Sequence, residues 1–387
     1  MKTAGAAAVV VVGGGLWRAG DQGVFSTGDG PAYEPWKNWD RDASHPALAL
    51  VRAAILAANP HNTQPWLFKI ADGRVELYAD TGRNLGSFDP YLRELHIGLG
   101  CALENMALTA ATNGFDASIT LSQGALTSGS GRGAPVLVAR IDLSSGKRKE
   151  SDLHAAIPRR HTNRGPYEPD RPVSSDVLAQ LQQLAGDHPQ IRLFLYTGGA
   201  DRKDFGDAVV EATAAIIADA TMVHDSERWF RYRWTDVQKY RDGPTLDAAG
   251  LSPLMAGVAK MLPSPSPETS QRYWLDATRE VQVATAPLFG LIAVRDLYER
   301  SQAMRAGRVW QRMHLWATSR GLAMQPVNQP VEMVDRQRQL NQEPVASGVL
   351  ARLTGDPAWK PTFAFRAGYA RRAAPASPRR PVGQVIV

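Results

Sequence analysis

The chain has 387 residues and a formal net charge of +6, from 44 Lys and Arg against 38 Asp and Glu. From Pro357 to Val387 there is no acid but there are six basic residues, Lys360, Arg366, Arg371, Arg372, Arg379 and Arg380, so residues 1–356 are neutral; the broad basic face of a nucleic-acid binder is excluded, and a local anion site is not. With 44% hydrophobic residues and 10 Trp a sizeable core is expected, and the single Cys101 excludes an internal disulfide, a Cys-based zinc site and a dithiol pair, so any redox chemistry has to come from a cofactor.

Residues 4–15 form an apolar run too short for a bilayer span, which takes about 20 residues, but suited to the core of a signal peptide. The opening Lys2-Thr3-Ala4-Gly5 resembles the interior of a twin-arginine export signal, and an in-frame Arg-Arg upstream of Met1 is the test of that reading; the alternative is a floppy Ala/Val/Gly terminus on a cytoplasmic protein. Gly13-Gly14-Gly15 imitates a dinucleotide fingerprint, but Arg18 stands where its last glycine belongs and no helix can follow. A linker leads to a helix expected over His45–Ala58, stopped by Asn59-Pro60. Strands are expected at Trp66–Ala71 and Arg74–Ala79 around an Asp72-Gly73 turn. A long apolar helix is expected from Arg93 to Asn113, ended by Gly114.

That helix recurs. An offset of 207 residues aligns Gly100, Met106, Leu108, Ala110 and Gly114 with Gly307, Met313, Leu315, Ala317 and Gly321, which points to two related modules divided near residue 155. The segment 226–267 has no counterpart in the first module. It carries Arg228-Trp229-Phe230-Arg231-Tyr232-Arg233-Trp234, and it reads as a cover over a site or as an amphipathic surface helix.

Three segments carry candidate chemistry. Asn59-Pro60-His61-Asn62-Thr63-Gln64-Pro65-Trp66 is a stiff loop rich in donors and acceptors, suited to a planar ligand with polar edges or to capping its own turn. Arg159-Arg160-His161-Thr162-Asn163-Arg164 offers two guanidiniums and a hydroxyl at alternate positions, a phosphate grip or a solvated basic loop. Ser377-Pro378-Arg379-Arg380-Pro381 is a pair of arginines stiffened by proline or a disordered tail. No metal-ligand spacing, nucleophile elbow or P-loop is present. Cys101 reads as a small core residue and His314 as packing or surface.

Together these segments resemble the flavin-dependent nitroreductase family, and within it the Acg-like branch, over roughly residues 40–387. Asn62-Thr63-Gln64-Pro65-Trp66 matches the family's Asn-x-Gln-Pro-Trp loop, Arg160-His161-Thr162-Asn163-Arg164 its opening Arg-x-Ser-x-Arg motif, Gln325-Pro326-Val327-Asn328-Gln329 its loop facing flavin N5, and Arg379-Arg380 its closing phosphate-binding arginine. The resemblance implies an α+β nitroreductase-like fold in which a homodimer is fused into one chain. Its parts would be a signal-like or disordered N-terminus (1–30), a first module (31–155), and a second module (156–387) with a lid-like segment (226–267) and a C-terminal arm (357–387). It also implies one FMN per chain. Arg160 with Arg379 or Arg380 would grip its phosphate, assisted by Thr162, and Arg164 would reach the ribityl chain or the N1–O2 edge. Asn62 and the Pro60-His61 backbone would lie against the ring, with Gln64 supporting the loop, and Asn328-Gln329 would present a backbone N–H to N5. NAD(P)H would then reduce the flavin, and a small electron-poor acceptor, a nitroaromatic or quinone, would reoxidise it; no protein nucleophile is required. The alternative is a flavin-sequestering protein without turnover. No nucleic-acid partner and no stable membrane span are expected, and the chain would act as a monomeric pseudo-dimer.

Overall fold

The computed structural model describes residues 18–41, 45–128, 133–186 and 188–387; the apolar run and glycine triplet of residues 4–15, with the export reading they carry, lie outside the described residues. Helix α1 (Pro46–Ala54) buries Leu50, Val51 and Ala54. It ends short of Ala58, and the reason is chemical. The Ala58 N–H, which would continue the helix on the Ala54 carbonyl, donates to Gln311 Oε1 at 3.3 Å, and beyond it Pro60 has no N–H to close on the Leu56 carbonyl. The freed carbonyls of Leu56 and Ala57 instead accept bonds from guanidinium groups far away in the chain.

Strands β1 (Trp66–Ala71) and β2 (Arg74–Ala79) pair antiparallel through the expected turn, with Gly73 at φ 63°. Helix α2 (Arg93–Thr112) is buried along most of its length and ends ahead of Gly114, whose φ of 82° only glycine adopts cheaply. Strands β3 (Phe115–Leu121) and β4 (Val136–Ser145) complete a sheet of order β1-β2-β4-β3. The second half begins with α3 (Ser175–Ala185), β5 (Ile191–Tyr196) and α4 (Gly199–Ala218). After a largely helical excursion that includes α5 (Trp234–Tyr240) and α6 (Pro253–Met261), it continues with β6 (Leu288–Val294), α7 (Arg300–Ser319), β7 (Ala323–Pro326), α8 (Gln329–Gln339) and β8 (Lys360–Gly368). Its sheet runs β5-β6-β8-β7, the order of the first sheet, again antiparallel throughout. In both halves the long helix joins the second strand to the third. The chain is therefore an α+β protein made of two modules of one topology.

The repeated helices α2 and α7 pack on each other through the repeated glycines. A Cβ on Gly100 would strike the Met304 carbonyl, and one on Gly307 would strike the Ile97 carbonyl. Ile97 and Met304 are themselves related by the same offset, so the two contacts are the two halves of one pseudo-twofold junction. Glycine lets the backbones meet where any side chain would hold them apart.

The modules are also interlocked. After β8 the chain crosses to the first module, where the Arg379 N–H donates to Ala32 at 2.7 Å. It then runs parallel to β1, with Phe68 N–H donating to Val385 at 2.7 Å and Val387 N–H to Phe68 at 2.9 Å. This covers the free edge of β1, which would otherwise be a template for aggregation. Among the described residues no helix is long and apolar enough to cross a membrane.

Candidate functional site

The loop after α1 is held in an unusual backbone path. His61, Asn62 and Gln64 have φ of 44°, 53° and 52°, a region that non-glycine residues enter at a cost. Its own polar side chains hold it there. Asn59 Oδ1 accepts the Gln64 N–H at 2.8 Å, Gln64 Nε2 donates to the Arg241 carbonyl at 2.8 Å, and Gln64 Oε1 accepts the Arg380 N–H at 2.7 Å. Asn62 donates to the Pro378 carbonyl at 2.9 Å and accepts a bond from Arg379. Gly98 on α2 makes room, since a Cβ there would lie 2.9 Å from Pro60 Cδ. Asn62 and Gln64 are thus turned toward the C-terminal arm, while Asn59, Pro60 and His61 line a cavity of about 1200 Å³.

Beside the end of α1 two cations are buried without an acid. Arg160 is 2% exposed and Arg379 3%. Arg160 donates to the Leu56 carbonyl at 3.1 Å, and Arg379 to those of Ala57 at 3.2 Å and Leu56 at 3.5 Å. Arg379 also lies over the Trp36 ring, 4.8 Å from its centroid. Among the described residues neither guanidinium has a carboxylate partner, and the Nε of each is buried with no acceptor. Burial lowers the pKa of Arg160 to about 10, and burial together with the Arg160 charge lowers that of Arg379. The flanking imidazoles answer the same field: burial, reinforced by Arg160, takes His161 to about 3 and His314 well below its ordinary value. Two like charges in a dry site are unfavourable unless an anion joins them.

Arg380 is the other tail arginine, and it goes elsewhere. Its guanidinium donates to the carbonyls of Gln64 at 3.2 Å and Gln384 at 2.6 Å, so it fastens the arm to the loop. Of the two tail arginines, Arg379 is the one that shares the Leu56 carbonyl with Arg160.

The cavity lies between the modules. Thr162 and Arg164 line it, with Arg164 donating to the Ala248 carbonyl at 3.2 Å, and so do Asn328 and Gln329 at the start of α8. Asn328 is pinned by the Ala364 N–H at 2.8 Å. Gln329 opens the helix, so its N–H has no acceptor within it. A third buried arginine braces these two segments: Arg366 donates to Gln325 Oε1 at 2.7 Å and to the Gly165 carbonyl at 2.7 Å, and its guanidinium covers Tyr167. The excursion from 226 to 267 supplies much of the remaining wall, including Phe230, Tyr232 and Met255. In its Arg228–Trp234 run Trp229 is buried against the Asn84 carbonyl and Arg231 bridges to Thr245.

His314, expected as packing or surface, is fully buried with Nδ1 3.5 Å from Arg160. Trp36 and Arg366 had no motif to announce them. Cys101 lines the cavity but fits the core reading, as its thiol donates to the Gly307 carbonyl at 3.3 Å and burial raises its pKa.

No family model matches the chain. Two curated proteins from strains of Mycobacterium tuberculosis, each named "Putative NAD(P)H nitroreductase", are 25% identical to it over 368 residues, 93% of this chain and 95% of theirs. The chain is related to them along nearly its whole length. Among solved structures, the FMN-dependent nitroreductase NfnB of Mycobacterium smegmatis, in complex with NADPH, is 19% identical at a TM-score of 0.38, covering 60% of this chain and 96% of that one. At that score the likeness carries no weight for the fold, which stands on the chain's own strand order.

Proposed function

We propose that this chain, as a full-length relative of nitroreductases, is an FMN-dependent NAD(P)H oxidoreductase of nitroreductase type that reduces small electron-poor acceptors such as nitroaromatics or quinones. The observation that carries this reading is the Arg160–Arg379 pair, two buried guanidiniums with unpartnered Nε groups and no acid between them. A phosphate monoester fits that need: it brings charge and several acceptor oxygens, and guanidinium forks match its geometry. Thr162 adds a hydroxyl from the same segment.

The residues that line the cavity fit the remainder of FMN. Arg164 presents a cation, the Pro60-His61 backbone a rigid wall, and the Gln329 N–H a donor at a helix start. Asn62 and Gln64 act one step back, holding the loop that carries Pro60 and His61. When bound, FMN supplies the electron chemistry, taking hydride from NAD(P)H and passing it to the acceptor. The protein's share is to grip the phosphate, orient the ring system and exclude water. One complete arginine set supports one FMN per chain, with the fused modules replacing a dimer.

The wall contributed by residues 226–267 favours a second reading, in which FMN is bound but shielded from NAD(P)H. Anaerobic addition of NADPH and NADH to the FMN-loaded protein separates the two. Bleaching of the visible flavin absorbance by either supports the oxidoreductase. Bound flavin that neither nucleotide bleaches supports sequestration.

A further inference from the structure

Glu94 on α2 and Glu332 on α8 both line the cavity, and both are buried, at 5% and 6% exposure. The charged and titratable groups packed around them are already engaged. Arg93 donates from Nε to Asp335 at 2.8 Å and from its other nitrogens to the carbonyls of Thr362 and Val331. Asp335 also accepts the Tyr298 hydroxyl at 2.9 Å. Asp89 accepts the N–H groups of Glu94 at 3.0 Å and Leu95 at 2.8 Å, at the start of α2. One cation thus faces four carboxyl groups, and its closest bonds go to Asp335. Among the described residues neither Glu94 nor Glu332 has an ion-pair partner of its own, and an ionised Glu332 acts on Glu94.

Two carboxylates in a dry wall do not both ionise near neutral pH. Burial raises both groups, Glu332 to about 8; an ionised Glu332 raises Glu94 further, while Asp89 and Asp335 raise Glu332. Two independent atoms show that the place expects a ligand. Among the described residues Glu94 Oε1 is buried without a partner, and so is Oε1 of Gln329, one turn before Glu332 on α8 and 7% exposed on the wall of the same cavity. A protonated carboxyl offers an O–H, and its natural ligand is an oxygen that gains electron density.

We infer that Glu94 and Glu332 form a carboxyl pair that retains a proton and delivers it to the oxygen of a quinone or nitro acceptor reduced in this cavity. The inference rests on the oxidoreductase reading. For a quinone the balance is simple. Hydride, ultimately from NAD(P)H, brings two electrons and one hydrogen; the pair adds the second hydrogen as a proton on oxygen and is left as a carboxylate, which solvent reprotonates. The sum is quinone, NAD(P)H and H⁺ giving hydroquinone and NAD(P)⁺.

Two measurements on wild type and Glu332→Gln in the full chain test it. The first needs no flavin: denaturant unfolding of the apoprotein from pH 5 to 8. A carboxyl whose pKa is raised in the folded state binds a proton that the unfolded chain has released, so it makes stability fall as pH rises across this window. Removing it should flatten the folding equilibrium's pH dependence by about tenfold per pH unit. The second mixes dithionite-reduced, FMN-loaded protein with a benzoquinone or with ferricyanide, which accepts electrons without a proton. Glu332→Gln should slow the quinone reaction at least about tenfold, the range of a positioned proton donor being roughly 10²–10⁴-fold, and leave ferricyanide unaffected. An unchanged pH slope, an unaffected quinone rate, or equal slowing of both acceptors overturns the inference. Failure to load FMN at all overturns the oxidoreductase reading, and the proton-donor role with it, and shows itself before either acceptor is added.

Discussion

Arg160 and Arg379 donate to the same carbonyl, that of Leu56, at 3.1 and 3.5 Å. Arg160 comes from the junction between the modules and Arg379 from the C-terminal arm, yet both close on the end of the first module's opening helix. Pro60 releases that carbonyl from the helix, and the arginines replace the missing N–H. One residue pair thereby ties together the end of α1, the left-handed loop and the arm, and concentrates two buried positive charges.

If the anion is the FMN phosphate, the arginines contribute unequally. Arg160→Ala and Arg379→Ala should each remove a charge-assisted bond, about 1.5–3 kcal/mol, and weaken FMN roughly ten- to a hundredfold. Arg380→Ala, whose guanidinium reaches only the Gln64 and Gln384 carbonyls, should leave the affinity within about threefold, because a charge off the binding group acts weakly through screening. Fluorescence titration of the three apoproteins checks the order. Equal losses at Arg379 and Arg380 would contradict it.

The arginine pair should also respond to phosphate alone. A ligand that binds only the folded state raises its stability by mass action. Inorganic phosphate should raise the melting temperature of the apoprotein more than chloride at equal ionic strength, and Arg160→Ala combined with Arg379→Ala should erase the difference. Differential scanning fluorimetry reads it. Equal effects of the two salts would argue against an anion site.

His314 gives the site a pH dependence with a definite sign. Burial and Arg160 depress its folded pKa below the unfolded value. The stability linked to it is therefore present above about pH 6.5 and is lost as pH falls below that, because the unfolded chain then binds a proton that the native imidazole refuses. Replacing His314 by Gln should remove up to about tenfold per pH unit from the acid-side loss of folding equilibrium. Denaturant midpoints between pH 7 and 5 check this, and parallel curves for the two proteins would contradict it.

The pseudo-twofold junction makes a packing prediction. Gly307→Ala puts a Cβ into the Ile97 carbonyl and should cost about 1–3 kcal/mol, the range for overfilling a tight contact. Gly348 lies in the helix Val345–Thr354 with open space around it, so Gly348→Ala should stabilise by up to about 1 kcal/mol from helix propensity. Urea midpoints of the two variants should move in opposite directions.

How far the sequence showed all this depends on how local each feature is. The β1–β2 hairpin was legible to the residue because Asp72-Gly73 dictates its own turn. The long helices were legible because glycine, needed where α2 meets α7, recurs at one offset. The Pro-rich loop and the tail arginines were visible as motifs. What stayed hidden depends on partners remote in sequence. The early end of α1 reflects Gln311, which takes the Ala58 N–H, and nothing within residues 45–58 announces it. His314 looks like any helical histidine until Arg160 is beside it. Glu94 and Glu332 are two unremarkable acids whose meaning comes from sharing one wall. The neighbour of Arg160 was undecidable between adjacent arginines, because one residue's difference sends Arg379 to the Leu56 and Ala57 carbonyls and Arg380 to those of Gln64 and Gln384.

The central claim is that Arg160 and Arg379 hold the phosphate of a bound flavin, and the most direct test compares FMN with riboflavin, which lacks only the phosphate. Equilibrium titration of the apoprotein should show one FMN per chain, bound at least about a hundredfold tighter than riboflavin, as expected for two or more charge-assisted bonds of about 1.5–3 kcal/mol each. Equal affinity for the two flavins, or two FMN per chain, would contradict it.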